Sequence, residues 1–228
     1  MVSPKSDNIL YVASKRHGLC EVNVINGKVA TLCRIPVDSR PVDLAGGGRY
    51  LWFSTTSGLV KYDLMTNDAV TLRFDKNDRF SLSDDYIHVA LPDRKGGLWV
   101  GTAHGGADYW SPQQDVFRKY YQTSDGEALT GCVVSDFAQD DEENLWIATE
   151  REGLLRHKKN GGKVSRYHSD DLPTRINAIC FDNGMLWIGY HQGLCRLDIK
   201  TGSVRYFSDF RESLGGMDNR VLDIFRTA

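Results

Sequence analysis

The chain has 228 residues, 41% of them hydrophobic, which is enough to bury a sizeable core in one domain. Its formal net charge of −2 removes the electrostatic case for a nucleic-acid partner or an anionic membrane surface. No apolar run approaches the ~20 residues that span a bilayer, so no direct membrane insertion is expected; Met1-Val2-Ser3-Pro4-Lys5-Ser6-Asp7-Asn8 also lacks the apolar core of a signal peptide.

Taken in chain order, the predicted elements are copies of one unit. Leu10-Tyr11-Val12-Ala13 leads to Gly18-Leu19, and Leu51-Trp52-Phe53-Ser54 to Gly58-Leu59. Leu98-Trp99-Val100-Gly101 leads to Gly105-Gly106, Leu145-Trp146-Ile147-Ala148 to Gly153-Leu154, and Leu186-Trp187-Ile188-Gly189 to Gly193-Leu194. The anchoring leucines recur every 41–47 residues, a period that with several short strands per unit marks a propeller blade. Each Leu-Trp strand (B) is preceded by an apolar alternation (A), such as Ile87-His88-Val89-Ala90 or Val134-Ser135-Asp136-Phe137. The Gly-Leu opens strand C. A turn at Asn26-Gly27, Thr66-Asn67, Asn160-Gly161-Gly162 or Thr201-Gly202 then leads to strand D; Asn-Gly predicts a tight hairpin with positive φ at both central residues. No stretch sustains the 3.6-residue apolar period of a long helix.

The predicted fold is therefore all-β, a β-propeller of about five four-stranded antiparallel blades. The units run approximately 1–40, 41–85, 86–131, 132–174 and 175–216, with 217–228 as strand A of a further or closing blade. Because the chain opens on a strand B and closes on a strand A, it reads as an arc of a larger ring or as a five-bladed ring closed by a split blade; the broken blade and the missing export signal favour the arc. The B-strand tryptophans are expected between neighbouring sheets, each burying about 150–250 Å². Five cysteines without a Cys-x-x-Cys spacing are read as free, buried thiols.

The repeated pattern Asp-x-x-Gly-x-Leu-Trp-Ile-Gly-Thr-x-x-Gly-Leu-x-x-x-Asp is followed by Asp93-Arg94-Lys95-Gly96-Gly97-Leu98-Trp99-Val100-Gly101-Thr102 and, with one residue fewer before the glycine, by Asp182-Asn183-Gly184-Met185-Leu186-Trp187-Ile188-Gly189. Gly58-Leu59-Val60-Lys61-Tyr62-Asp63 and Gly193-Leu194-Cys195-Arg196-Leu197-Asp198 supply its second half. It resembles the two-component regulator propeller repeat. The departures are Tyr11 for Trp, Gly105-Gly106-Ala107 for Gly-Leu, and His157-Lys158 where Asp is usual. The resemblance implies a piece of a seven-bladed, periplasmic, glycan-responsive sensor region of hybrid two-component regulators, a non-catalytic role, and partners that include an oligosaccharide or other small ligand and the rest of the sensor polypeptide.

In a propeller the B–C turns and D–A connections meet on one face. The candidate ligand-binding residues there are Arg16, His17, Thr56, Tyr86, His104, Arg151, Arg175, Tyr190, His191 and Arg220, whose aromatic, hydroxyl and guanidinium groups suit sugar hydroxyls or a carboxylate. His17, His104 and His191 sit at different offsets in units that need not adjoin, so no metal or other cofactor is expected. The acidic runs lack the alternating spacing of a calcium loop. No Gly-x-Ser-x-Gly elbow, His-Glu-x-x-His or phosphate-binding loop is present. Three functions stay open at this point: an oligosaccharide sensor, a protein-binding scaffold that pairs with a second copy through blade edges, and a carbohydrate-active hydrolase or lyase whose carboxylates come from distant strands.

Overall fold

The computed structural model describes residues 2–3, 6–35, 39–124, 126, 129, 131–160, 163–167, 169, 171–207 and 220–225. Among these, twenty strands form five four-stranded antiparallel sheets, and no helix occurs. The first sheet holds β1 (Val2–Ser3), β2 (Ser6–Ser14), β3 (Gly18–Asn23) and β4 (Val29–Cys33). The second holds β5 (Pro41–Gly47), β6 (Tyr50–Thr55), β7 (Gly58–Asp63) and β8 (Ala69–Leu72). The third holds β9 (Ile87–Pro92), β10 (Leu98–Thr102), β11 (Ala107–Ser111) and β12 (Val116–Tyr120). The fourth holds β13 (Val134–Gln139), β14 (Leu145–Thr149), β15 (Leu154–His157) and β16 (Ser165–Arg166). The fifth holds β17 (Ile176–Asp182), β18 (Met185–Tyr190), β19 (Gly193–Asp198) and β20 (Val204–Phe207). Strands neighbour one another in chain order within every sheet, the pattern of propeller blades. The chain divides into two compact units, 1–119 and 120–228.

The Leu-Trp strands β6, β10 and β14 are buried on both faces, so they read as continuous apolar runs. On β6, Trp52 joins Leu98, Val100 and Trp110 of the third sheet, while Leu51 and Phe53 join Tyr11 and Leu19 of the first. On β14, Trp146 packs with Ile176, Ile179 and Leu186 of the fifth sheet. Trp52, Trp99 and Trp146 are buried as expected, whereas Trp187 is only half-buried and stacks on Phe207 at 5.4 Å. Trp110, outside the repeat pattern, is also core: it lies 4.8 Å from Trp52 and donates to Asp115.

The turns explain the rest of the repeat. After three of the four Leu-Trp strands a threonine closes the B–C turn. Thr55, Thr102 and Thr149 donate to the carbonyls of Gly58, Gly106 and Gly153 and accept the amides of Ser57, Gly105 and Glu152. The aspartate that ends the pattern starts the C–D loop. Asp63 Oδ1 accepts the amides of Met65 and Thr66, and Asp198 Oδ1 those of Lys200 and Thr201; in the first sheet Asn23 does the same for Ile25 and Asn26. This corrects the hairpin expected at Asn26-Gly27. Only Gly27 takes positive φ, because the loop runs from Asn23 to Lys28 around the Asn23 side chain. The two-residue turn with both φ positive is instead Asn183-Gly184, between β17 and β18. Gly161 and Gly162 lie outside the described residues.

At Gly58 φ is +117°, and a Cβ would stand 2.6 Å from the Leu72 carbonyl oxygen. At Gly27 φ is +68° and a Cβ would meet open space. Gly58→Ala is therefore expected to cost about 2–4 kcal/mol, strain plus overlap with backbone. Gly27→Ala is expected to cost about 1 kcal/mol from backbone strain alone. Urea unfolding of the two variants checks the ranking.

The start of the expected layout is corrected. The first sheet is not short of a strand A, because β1 pairs with β2 through Val2↔Leu10 and Ser3↔Ser6. Residues 220–225 form no ladder; Val221 is instead tied to the fifth sheet, its amide donating to the Tyr190 carbonyl and its carbonyl accepting from Asn177 Nδ2 at 2.9 Å. All five cysteines are free, but Cys33 and Cys180 are only partly buried. No helix among the described residues is long and apolar enough to cross a membrane.

Candidate functional site

Within 120–228, long-range backbone bonds gather side chains that are far apart in the sequence. The Gly153 amide donates to the Thr174 carbonyl, which brings the β14–β15 turn, with Arg151, against the segment entering β17, with Arg175. The bond from Val221 to Tyr190 sets Arg220 beside His191 at the end of β18. The result is a hollow of about 310 Å³ lined by Glu150, Arg151, Arg175, Asn177, His191 and Arg220. A second hollow of about 520 Å³ shares Arg175 and His191 and adds Pro173, Thr174, Tyr190, Gln192 and Tyr206.

Tyr190 stands where other B strands carry the turn-closing threonine. Its ring meets Tyr206 edge-on at 5.8 Å, and the Tyr206 hydroxyl donates to the Asp171 carbonyl. Burial pushes both phenols up, Tyr206 to about 12, so both keep their protons at neutral pH; the Tyr206 proton is committed to Asp171, and the two rings form an aromatic wall. Five of the ten residues singled out in the sequence, Arg151, Arg175, Tyr190, His191 and Arg220, thus line these two hollows. Asn177 and Tyr206 were missed. Asn177 lies inside strand β17, where only its contact with Val221 marks it.

The other five lie in 1–119. Arg16 and His17 are exposed in the β2–β3 turn, where the His17 amide meets Ser14 Oγ. Thr56 is a backbone stitch: its hydroxyl accepts the Arg40 amide at 3.0 Å and its own amide donates to the Arg40 carbonyl. Tyr86 stacks on His88 at 5.1 Å. His104 joins it through Asp84, whose Oδ2 accepts the His104 amide and lies 3.1 Å from Nδ1. Among the described residues, no three His, Cys, Asp or Glu side chains converge to hold a metal ion.

A further hollow of about 430 Å³ in 1–119 is lined by Tyr50, Lys61, Trp110 and Asp115 among others. Two of its cations are already matched. The Lys61 ammonium sits over Trp110 at 4.3 Å and Tyr50 at 4.5 Å and pairs with Asp115 at 3.0 Å; Arg49 pairs with Asp63, holding that carboxyl down to about 2. It ties the second sheet to the third and offers a ligand less than the arginine-lined hollow does.

Residues 81–104, which include the Asp93–Thr102 stretch, match the two-component regulator propeller family model. Histidine kinase P4 of Formosa agariphila is 27% identical over 164 residues, which cover 69% of this chain and 12% of that protein. The extracellular domain of the hybrid two component system BT4673 from B. thetaiotaomicron superposes with a TM-score of 0.78 at 20% identity, over 96% of this chain and 29% of that one. That of BT3049 from the same organism gives 0.64 at 21% identity, over 73% and 24%. The chain thus spans under a third of each of these three proteins. It carries a two-component regulator propeller repeat, and its five antiparallel sheets share the fold of the extracellular domains of hybrid two-component systems.

Proposed function

We propose that this chain is a ligand-sensing part of the extracytoplasmic, periplasmic propeller of a hybrid two-component regulator, and that it binds an oligosaccharide without turning it over. The observation that carries this reading is the pair of hollows sharing Arg175 and His191, one rich in cationic donors, the other walled by Tyr190 and Tyr206. Aromatic faces stack on sugar rings, and fixed donors meet hydroxyl or carboxylate oxygens. Volumes of about 310 and 520 Å³ fall in the range of small-ligand sites. Binding would act on the rest of the receptor only by its difference in affinity between two receptor states.

A thermal-shift screen of the chain against defined oligosaccharides tests the reading. A ligand present at about 100 times its dissociation constant adds about 2.7 kcal/mol of stability, so a clear rise in Tm is expected with one sugar class. A stable protein that no sugar shifts would contradict it. A second reading, a scaffold that pairs with another copy, is favoured by Val29 and Val70, 64% and 55% exposed on the outer strands β4 and β8. Concentration-dependent dimerisation in light scattering, abolished by Val29→Lys and Val70→Lys together, would select it.

A further inference from the structure

We infer that the hollow between Arg151, Arg175 and Arg220 receives the negatively charged group of an acidic sugar, a uronate carboxylate or a sulfate ester. The inference rests on the oligosaccharide reading and names the class of sugar. The chain as a whole is slightly acidic, at −2, yet this hollow gathers three guanidiniums and His191 around a single carboxylate, Glu150. Guanidiniums stay charged at any physiological pH, so their mutual repulsion is permanent.

Among the described residues, neither Arg151 nor Arg175 is held in place by a counter-ion. The turn bearing Arg151 and the segment bearing Arg175 are joined by the bond from the Gly153 amide to the Thr174 carbonyl, and residue 221 is anchored by Tyr190 and Asn177. Two other arginines of the fold do carry a carboxylate partner: Arg49 has Asp63, and Arg166 has Glu152. Glu152 is one residue from Arg151, but it is turned to Arg166 and so does not neutralise the hollow. Among the described residues, neither Arg151 nor Arg175 forms an ion pair. The forked donors of Arg151 and Arg175, unpaired among the described residues, match a planar carboxylate or a sulfate, each of which can accept two parallel N–H bonds from one guanidinium. The neighbouring wall of Tyr190 and Tyr206 offers the ring that bears the anion a face to lie on.

Calorimetric titration of the chain with two matched pairs tests this: an oligogalacturonate and its methyl ester, and a sulfated oligosaccharide and its desulfated counterpart. The expected result is that one acidic member binds at least about tenfold tighter than its neutral twin in about 50 mM salt. That preference should shrink in about 500 mM salt and vanish in Arg151→Ala/Arg175→Ala, whose Tm stays at the wild-type value. Equal affinity for acidic and neutral twins would overturn the inference and leave the oligosaccharide reading standing. No binding by any of the four would overturn both. Inorganic sulfate binding as tightly as the sulfated sugar would overturn the assignment to a sugar.

Discussion

Replacing Trp146 by alanine is expected to lower the unfolding free energy by about 3–5 kcal/mol, a large part of the 5–15 kcal/mol typical of a domain. The ring is fully buried in the core between the fourth and fifth sheets. Its Nε1 donates to Asp140 Oδ2 at 2.9 Å, Tyr167 meets it edge-on at 5.2 Å, and the Arg156 guanidinium lies over its face at 5.4 Å. Truncation would open a cavity that rigid strands on both sides cannot collapse into, and would take one donor from a buried carboxylate. Trp187→Ala, at the corresponding position of a half-buried ring, is expected to cost about 1–2 kcal/mol. Guanidinium unfolding of the two variants measures the difference; equal losses would show that the Trp146 environment counts for nothing beyond the repeat position.

Asp108 is expected to make the fold less stable as the pH rises from about 4 to about 7. It is fully buried on β11, its Oδ2 accepts the amide and hydroxyl of Ser83 at 2.8 and 2.9 Å, and its Oδ1 has no partner. Burial pushes its carboxyl up to about 7, outweighing the two Ser83 bonds and the nearby Lys119, while Asp84 pushes the same way as burial. The folded chain therefore holds a proton that the unfolded chain releases near pH 4. Stability from this group is complete below the unfolded value and is lost as pH climbs to the folded one, by about 4 kcal/mol for a three-unit difference. Asp63 works in a separate window: its folded value is lowered to about 2, so its contribution fades only below about pH 4. Asp108→Asn keeps an acceptor for Ser83 and removes the ionisation, so its stability should be nearly flat between pH 4 and 8. An unchanged slope in the variant would contradict this account.

The part of the architecture that depends on local chemistry was readable from the residues. Leu98-Trp99-Val100 and its copies announce buried strands, and the aspartate of Asp93-x-x-Gly96 does act locally, accepting the Lys95 and Gly97 amides while Gly96 takes a φ of +80°. The fourth unit keeps that turn with Glu143 at φ +62°, a substitution the motif does not anticipate. What escaped the reading depends on contacts distant in sequence. The pairing of Val2–Ser3 with β2 carries no pattern in two residues, and Trp110 joins the core only because the third sheet faces the second. Strand-A carboxylates were missed as well: Asp43 accepts the Ala90 amide and Asp136 the Ile179 amide, each stitching its sheet to the next. Asp223 binds the amide of its own successor as those two do, so the shared Asp-apolar pair was the available signal. For the candidate site, the turns bearing Arg151, Arg175 and His191 could be named singly. Their convergence, and the entry of Asn177 and Tyr206, required the Gly153–Thr174 and Val221–Tyr190 bonds, which no local rule supplies.

The central claim, that this face binds sugar, is tested most directly by titrating the oligosaccharide that gives the largest thermal shift into wild-type chain and into a variant with Arg151, Arg175 and His191 all changed to alanine. All three side chains are exposed, so the variant should keep the wild-type Tm. Its affinity is expected to fall at least about tenfold, the equivalent of about 1.4 kcal/mol. A fall of less than about twofold would contradict it and move the site elsewhere on the molecule.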